Sequence, residues 1–383
     1  MTIELEHSGV TQRRRLTLAD GVRLNVEVTG PADAPVTVLL VHGWTCSTRS
    51  WHNQVEGLPQ ILGEDAVRVV TYDHRGHGRS DAAPAGTTRL EQLADDLVTV
   101  LDEVVGEGPV VYAGHSMGGM TLMAAADRRP DLFGSRIRAA ALVSTTSGHL
   151  TEGALGLPTR FDPAAVRIAP RVLNAVGRRI DRRDARRAVA QEAEAEAAVA
   201  RGAESWAREA EAAAQAAEAA EAAEMGALAG EAAGSRGRVA GARARAAAAA
   251  AGAQAAARRA AVVAAGLQRP ALRQVVFGKK PDPAEVELFM ADLAVVPGAS
   301  YGGFFEAMLE HDRGQALKVL EGVPVEIMHG TRDRLLPPRH ANRIAAQLPS
   351  ARLWIYPGAG HMLMQERPRD VTHRLASLAR KVR

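Results

Sequence analysis

A single cysteine, Cys46, occurs in 383 residues. That excludes an intrachain disulfide, and no Cys/His spacing fits a zinc site, so a reducing compartment and no metal are expected. Aromatic residues are scarce too, at 4%. None interleaves the arginine runs Arg13 to Arg15, Arg178 to Arg187 and Arg236 to Arg245, which removes the stacking platforms of a nucleic-acid binder. Charge of one sign is also lacking. Lys+Arg 47 against Asp+Glu 44 leaves a formal +3, too balanced for a field that would hold nucleic acid. No run of about twenty bulky apolar residues offers a membrane span, and MTIELEHSGVTQRRRLTL has no apolar core of a signal peptide. The expectation is a soluble cytoplasmic protein without stable membrane insertion or nucleic-acid partner.

What is present is an alternation of strands and helices. RRRLTLADGVRLNVEVTG reads as a β-hairpin turning at Asp20-Gly21. The segments Pro35 to Gly43, Val67 to Asp73 and Pro109 to Gly114 are almost unbroken apolar runs, as expected of strands covered on both faces. Helical spacing separates them at Trp51 to Leu62 and at Leu90 to Val105, where Leu90, Leu93, Leu97, Val98 and Leu101 share a face. A helix after Ser116 ends before Pro130, IRAAALVST adds a strand, and PVEIMHGTRD, ARLWIYPGAGH and a helical run from Met362 to Arg380 resume the rhythm. The fold class is therefore α/β, a mostly parallel central sheet with helices on both faces.

Between the two stretches the strand signals stop. Residues 1–146 and 321–383 read as two parts of one core, and 147–320 as an inserted helical cap. Inside the cap, about 185–265 is alanine-rich, acidic in its first half and arginine-rich in its second. Its helix propensity is high, but with so few large apolar residues each helix would have little to bury. Ordered helices on the cap, a marginal insertion, and an interaction arm all remain open for this segment.

The candidate chemistry centres on VVYAGHSMGGM. Here an apolar strand runs into Gly-His-Ser-Met-Gly and then a helix, so that Ser116 tops a sharp turn and the amide of Met117 opens the helix as an oxyanion donor. A second donor is expected from Trp44, after the strand ending in VHG. Serine needs a base and a carboxylate that orients it. Asp333 and His361 each follow an apolar strand and emerge on the nucleophile's side of the sheet. Asp333 could instead be only a turn residue between Arg332 and Arg334, with another carboxylate serving His361. His42 and Gly43 are expected to shape the oxyanion turn, His74, Arg75 and His77 to fix the loop after Asp73, His115 to point elsewhere, His329 to give support, and Cys46 to be a buried small residue.

On these pieces, HGW at His42, YDHRGHGRS at Tyr72, GHSMGG at Gly114, HGTRDRLLP at His329 and GAGHMLMQERP at Gly358, the chain resembles the α/β-hydrolase fold superfamily, serine esterases and lipases with a helical cap among them. The resemblance implies a triad of Ser116, Asp333 and His361, an oxyanion hole from the amides of Trp44 and Met117, and no cofactor. It implies hydrolysis of a carboxylic ester of a small or medium apolar substrate. Met120, Phe304, Phe305, Met308, Leu335 and Met362 are candidate pocket residues. Serine at 116 argues against epoxide opening and halide displacement, which use a carboxylate nucleophile in this superfamily. Perhydrolase, carbon-carbon hydrolase, thioesterase, amidase and low-turnover ligand-binding readings stay open.

Overall fold

The computed structural model describes residues 5–8, 11–150 and 272–382, all within one folded unit. The alanine-rich segment at about 185–265 lies outside the described residues. Nine strands form one sheet: β1 (Leu5–Ser8), β2 (Thr11–Thr17), β3 (Arg23–Thr29), β4 (Thr37–Val41), β5 (Arg68–Tyr72), β6 (Val110–His115), β7 (Ile137–Val143), β8 (Val325–Gly330) and β9 (Arg352–Tyr356). Their order is β1-β2-β3-β5-β4-β6-β7-β8-β9. The first three strands and the β3–β5 pair are antiparallel, and every pairing from β5 to β9 is parallel. The expected hairpin is β2–β3, closed by Leu18 N–H donating to Val22 O at 2.8 Å with Gly21 at φ 84°.

Alternate residues of the central strands enter opposite cores, the two-residue period of a strand. Leu39, Val41, Val70, Tyr72, Val110 and Tyr112 join one buried cluster, together with helices α2 (Leu90–Val100) and α3 (Met117–Arg128). Val38, Leu40, Val69, Val111 and Ala113 join the other, against α1 (His52–Leu62) and the C-terminal helix. Strands covered on both faces explain the unbroken apolar runs.

The expected helix from Leu90 to Val105 changes to a π-turn at Leu101–Val105. Between β7 and β8 the described residues carry helices α4 (Pro283–Leu293) and α5 (Gly298–Leu309), then a 3-10 stretch at Gly314–Gly322. The α4 helix starts on Pro283, with Asp282 Oδ1 accepting the Ala284 N–H at 2.9 Å. Helix α6 (Arg339–Gln347) follows β8. The run expected from Met362 to Arg380 is two helices, α7 (Leu363–Glu366) and α8 (Pro368–Val382). The break falls at Arg367, φ −133° and ψ 53°, because a residue before proline is disfavoured in the helical region. No single helix among the described residues is long and apolar enough to cross a membrane, and the jointly apolar pair α4 and α5 is bent by 102°.

Candidate active site

Ser116 stands between β6 and α3 at φ 50° and ψ −113°, a conformation that costs a non-glycine residue on the order of 1–3 kcal/mol. Its backbone is clamped on both sides. Ser116 N–H donates to Val143 O at 2.9 Å, and its carbonyl accepts Gly119 N–H at 2.9 Å, Met120 N–H at 3.2 Å and Thr145 Oγ1–H at 2.7 Å. A Cβ on Gly118 would lie 2.4 Å from Val41 O, so α3 reaches the sheet only with glycine there. Ser116 itself is 7% exposed.

The loop after β4 passes directly over this turn. A Cβ on Gly43 would lie 3.0 Å from Ser116 Cβ and 2.6 Å from His115 Nδ1. His42 holds the loop in place: its Nδ1–H donates to Gly43 O at 2.7 Å, and Nε2 accepts His74 N–H at 2.9 Å. Burial pushes the His42 pKa down to about 4, so the ring is neutral and keeps this tautomer. Neither the Trp44 nor the Met117 amide has a hydrogen-bond acceptor among the described residues. An oxyanion requires two unpaired N–H groups beside the nucleophile. The Trp44 indole turns the other way, donating from Nε1 to Tyr301 O at 3.1 Å and stacking on Phe305 at 5.1 Å.

Asp333 and His361 meet at the ends of β8 and β9. Asp333 Oδ2 accepts from His361 Nδ1–H at 2.7 Å, and its Oδ1 accepts Leu336 N–H at 2.8 Å. The two loops are stitched together by Arg332 N–H donating to Ala359 O at 2.8 Å and Thr331 N–H donating to Tyr356 O at 3.0 Å. Asp333 is 3% and His361 5% exposed. No other carboxylate is hydrogen-bonded to His361 among the described residues. The bond at Nδ1 leaves Nε2 of a neutral imidazole as the lone-pair nitrogen, the form a general base needs. His329 supports the pair: Nε2–H donates to Leu336 O at 2.6 Å and lies 3.3 Å from Asp333 Oδ2.

His115 does more than point away from the site. Its Nε2–H donates to the carbonyl of His361 at 3.0 Å, and the two rings are 4.8 Å apart between centroids. Burial, and then the nearby His361, hold its pKa well below the usual histidine value. A neutral His115 therefore ties the residue before Ser116 to the residue bearing the candidate base. No periodicity or spacing could have disclosed a side chain reaching a backbone carbonyl 246 positions away. His74, Arg75 and His77 are fully buried, as expected of residues that fix the loop after Asp73. Arg75 binds Asp96 of α2 through two 2.7 Å bonds and Asp20 of the hairpin through a third. Cys46 is buried, and burial pushes its thiol pKa up, away from nucleophilic use.

The six candidate pocket residues fall in two buried clusters. Met120, Phe304 and Met308 are core residues of the cluster that also holds Met117, with Phe305 packed against it. Met362 and Leu335 belong to the cluster on the other face of the sheet. A groove of about 210 Å³ contains none of the six and is lined instead by Arg273, Gln274, Phe277, Gly278, Lys279, Arg332 and Arg334. Among the described residues, no group of three or more His, Cys, Asp or Glu is placed to hold a metal ion.

Comparison with known proteins agrees with this architecture. The family model described as the alpha/beta hydrolase fold matches residues 36–209. The chain is 34% identical over 149 residues to Lipase LipV of Mycobacterium tuberculosis, covering 38% of this chain and 53% of that protein. It is 38% identical over 104 residues to the bifunctional esterase/perhydrolase DCH of Acinetobacter calcoaceticus, covering 27% and 35%. In these matches the chain spans about half or less of the relatives' length. A thermophilic esterase from Thermogutta terrifontis superposes with a TM-score of 0.60 at 20% identity, over 97% of this chain and 99% of that one. Sheet order, the strand-serine-helix turn and these likenesses together give the chain the α/β-hydrolase fold.

Proposed function

We propose that the chain is a serine esterase that hydrolyses small or medium apolar carboxylic esters through an acyl-enzyme. The observation that carries this reading is the buried 2.7 Å Asp333–His361 pair, tied through His115 to the strained turn bearing Ser116. His361 Nε2 takes the Ser116 proton as Oγ attacks the carbonyl carbon. Asp333 stabilises the imidazolium, and the Trp44 and Met117 amides receive the oxyanion. The imidazolium then protonates the departing alcohol. Water, deprotonated by His361, attacks the acyl-enzyme, and the carboxylic acid leaves as Ser116 regains its proton. Every step uses groups of the chain, the ester and water.

The likeness to a bifunctional esterase/perhydrolase supports a second reading, in which hydrogen peroxide replaces water in the deacylation and a peracid leaves. A cytoplasmic setting belongs to the same proposal, supported by a lone buried thiol with no intrachain partner. The test is pre-steady-state hydrolysis of p-nitrophenyl acetate and butyrate, with and without peroxide. A burst of p-nitrophenol stoichiometric with protein, absent in Ser116→Ala, is expected. Saturable binding of the ester without a burst or turnover would replace the esterase reading with a ligand-binding one.

A further inference from the structure

Glu366 closes the short helix α7, five residues after His361, and takes no part in the chemistry above. Its carboxylate spans two separate backbone segments. Oε1 accepts the N–H of Gly360, the residue before His361, at 2.9 Å, and Oε2 accepts the N–H of Gly278 at 2.8 Å. Gly278 belongs to the described segment that leads from residue 272 into α4. That segment makes two more bonds to the His361 loop: Val276 O accepts His361 N–H at 2.7 Å, and Lys279 N–H donates to Gly358 O at 3.3 Å. The contact leaves no room for a side chain at its centre. A Cβ on Gly278 would lie 2.1 Å from Gly358 O, and one on Gly360 would lie 2.5 Å from Gly278 N.

We propose that Glu366 is a positioning residue for His361: through the amides of Gly360 and Gly278 it locks the loop carrying the base onto the segment before α4. The inference rests on the serine-hydrolase reading, in which His361 must face Ser116 while bonded to Asp333. A carboxylate suits the task because both of its oxygens accept. Glutamine presents one acceptor and one donor, so one of the two amide N–H groups would face an NH₂ group and lose its bond. The charged groups that act on Glu366 are Arg367 beside it and Asp333 on the acid loop; next along the chain from the two amides it holds come Lys279 and His361, and Glu285 of α4 accepts from the neighbouring Gln365 at 2.6 Å. Burial outweighs the two amide bonds and Arg367, and pushes the Glu366 pKa up to about 7. Below that pH the acid resembles glutamine, with one oxygen protonated.

The full-length chain and Glu366→Gln are to be compared by steady-state kinetics on p-nitrophenyl acetate and by the downfield proton resonance of His361 Nδ1–H, assigned by its loss in His361→Ala. Glu366→Gln is expected to lower kcat about 10- to 100-fold with KM within about twofold, and to shift or broaden the resonance. The kcat ratio of wild type to variant should be largest near pH 8.5 and shrink toward one near pH 5.5, because protonation removes the carboxylate from the wild type alone. A folded Glu366→Gln with the wild-type kcat and resonance, or a ratio independent of pH, overturns the proposal. Should the variant not fold, Gly278→Ala alters the same contact without changing charge; it must also lower kcat and move the resonance, and wild-type values in it overturn the proposal. If the wild type turns over no ester while the resonance still moves in Glu366→Gln, the esterase reading fails and the positioning role stands.

Discussion

Ser116 pays for its place at the tip of the turn with its backbone. At φ 50° and ψ −113° the residue is held by hydrogen bonds from both flanks, and glycine would adopt the same conformation without a Cβ penalty. Ser116→Gly is therefore expected to be about 1–2 kcal/mol more stable than Ser116→Ala in urea unfolding; equal stabilities would mean that the turn stores no strain. Asp333→Asn should leave the fold intact and lower kcat about 10⁴-fold by presenting His361 with the wrong tautomer partner, and a loss under about tenfold would show that the 2.7 Å pair is not used. These residues were legible in the sequence because each sits in a local pattern, strand then turn then reacting group. His115 and Glu366 were not. Their work is done by contacts to the backbone of loops distant in sequence or across a fold, and neither residue type nor spacing encodes such a partner.

Elements were readable wherever burial imposes a period. The apolar runs of β4, β5 and β6 match strands whose successive residues feed two opposite cores, and the Asp20-Gly21 hairpin appears as expected. Boundaries set by a single residue were less legible, as the Arg367 break between α7 and α8 shows. What holds elements together was also hidden, since YDHRGHGRS gives no sign that Arg75 is fully buried between α2 and the hairpin. Arg75→Met would leave Asp96 buried without its cation and should cost about 3–5 kcal/mol in urea unfolding; a change below about 1 kcal/mol would contradict that account. Glu366 adds a pH dependence at this level. With a pKa of about 7 against its ordinary 4.5, the folded state binds the proton more tightly than the unfolded chain. Relative to Glu366→Gln, the wild type is thus most stable below about pH 4.5, loses that margin as pH rises to about 7, and changes little beyond. Melting temperatures of the two proteins across this range should converge or cross in that direction, and a margin that grows with pH would contradict the assignment.

For the whole molecule, both parts of the α/β core and the triad candidates lie within the described residues, while about 185–265 contributes none of the candidate site residues. Replacing 185–265 by a short Gly/Ser linker is accordingly expected to leave ester turnover within about threefold; loss of turnover in a folded variant would assign the segment a part in catalysis. Substrate choice is the least legible property, in sequence and structure alike. The pocket candidates divide between two clusters on opposite faces of the sheet, and an apolar side chain that fills a core has the same composition as one that contacts an acyl group. The central claim is narrower: Ser116 becomes acylated, with His361 as its base. Intact mass followed by peptide mapping of the protein quenched during p-nitrophenyl butyrate turnover tests it directly. One butyryl adduct on the peptide containing Ser116, absent in Ser116→Ala, is the predicted result; turnover with no adduct, or an adduct on any other residue, would contradict it.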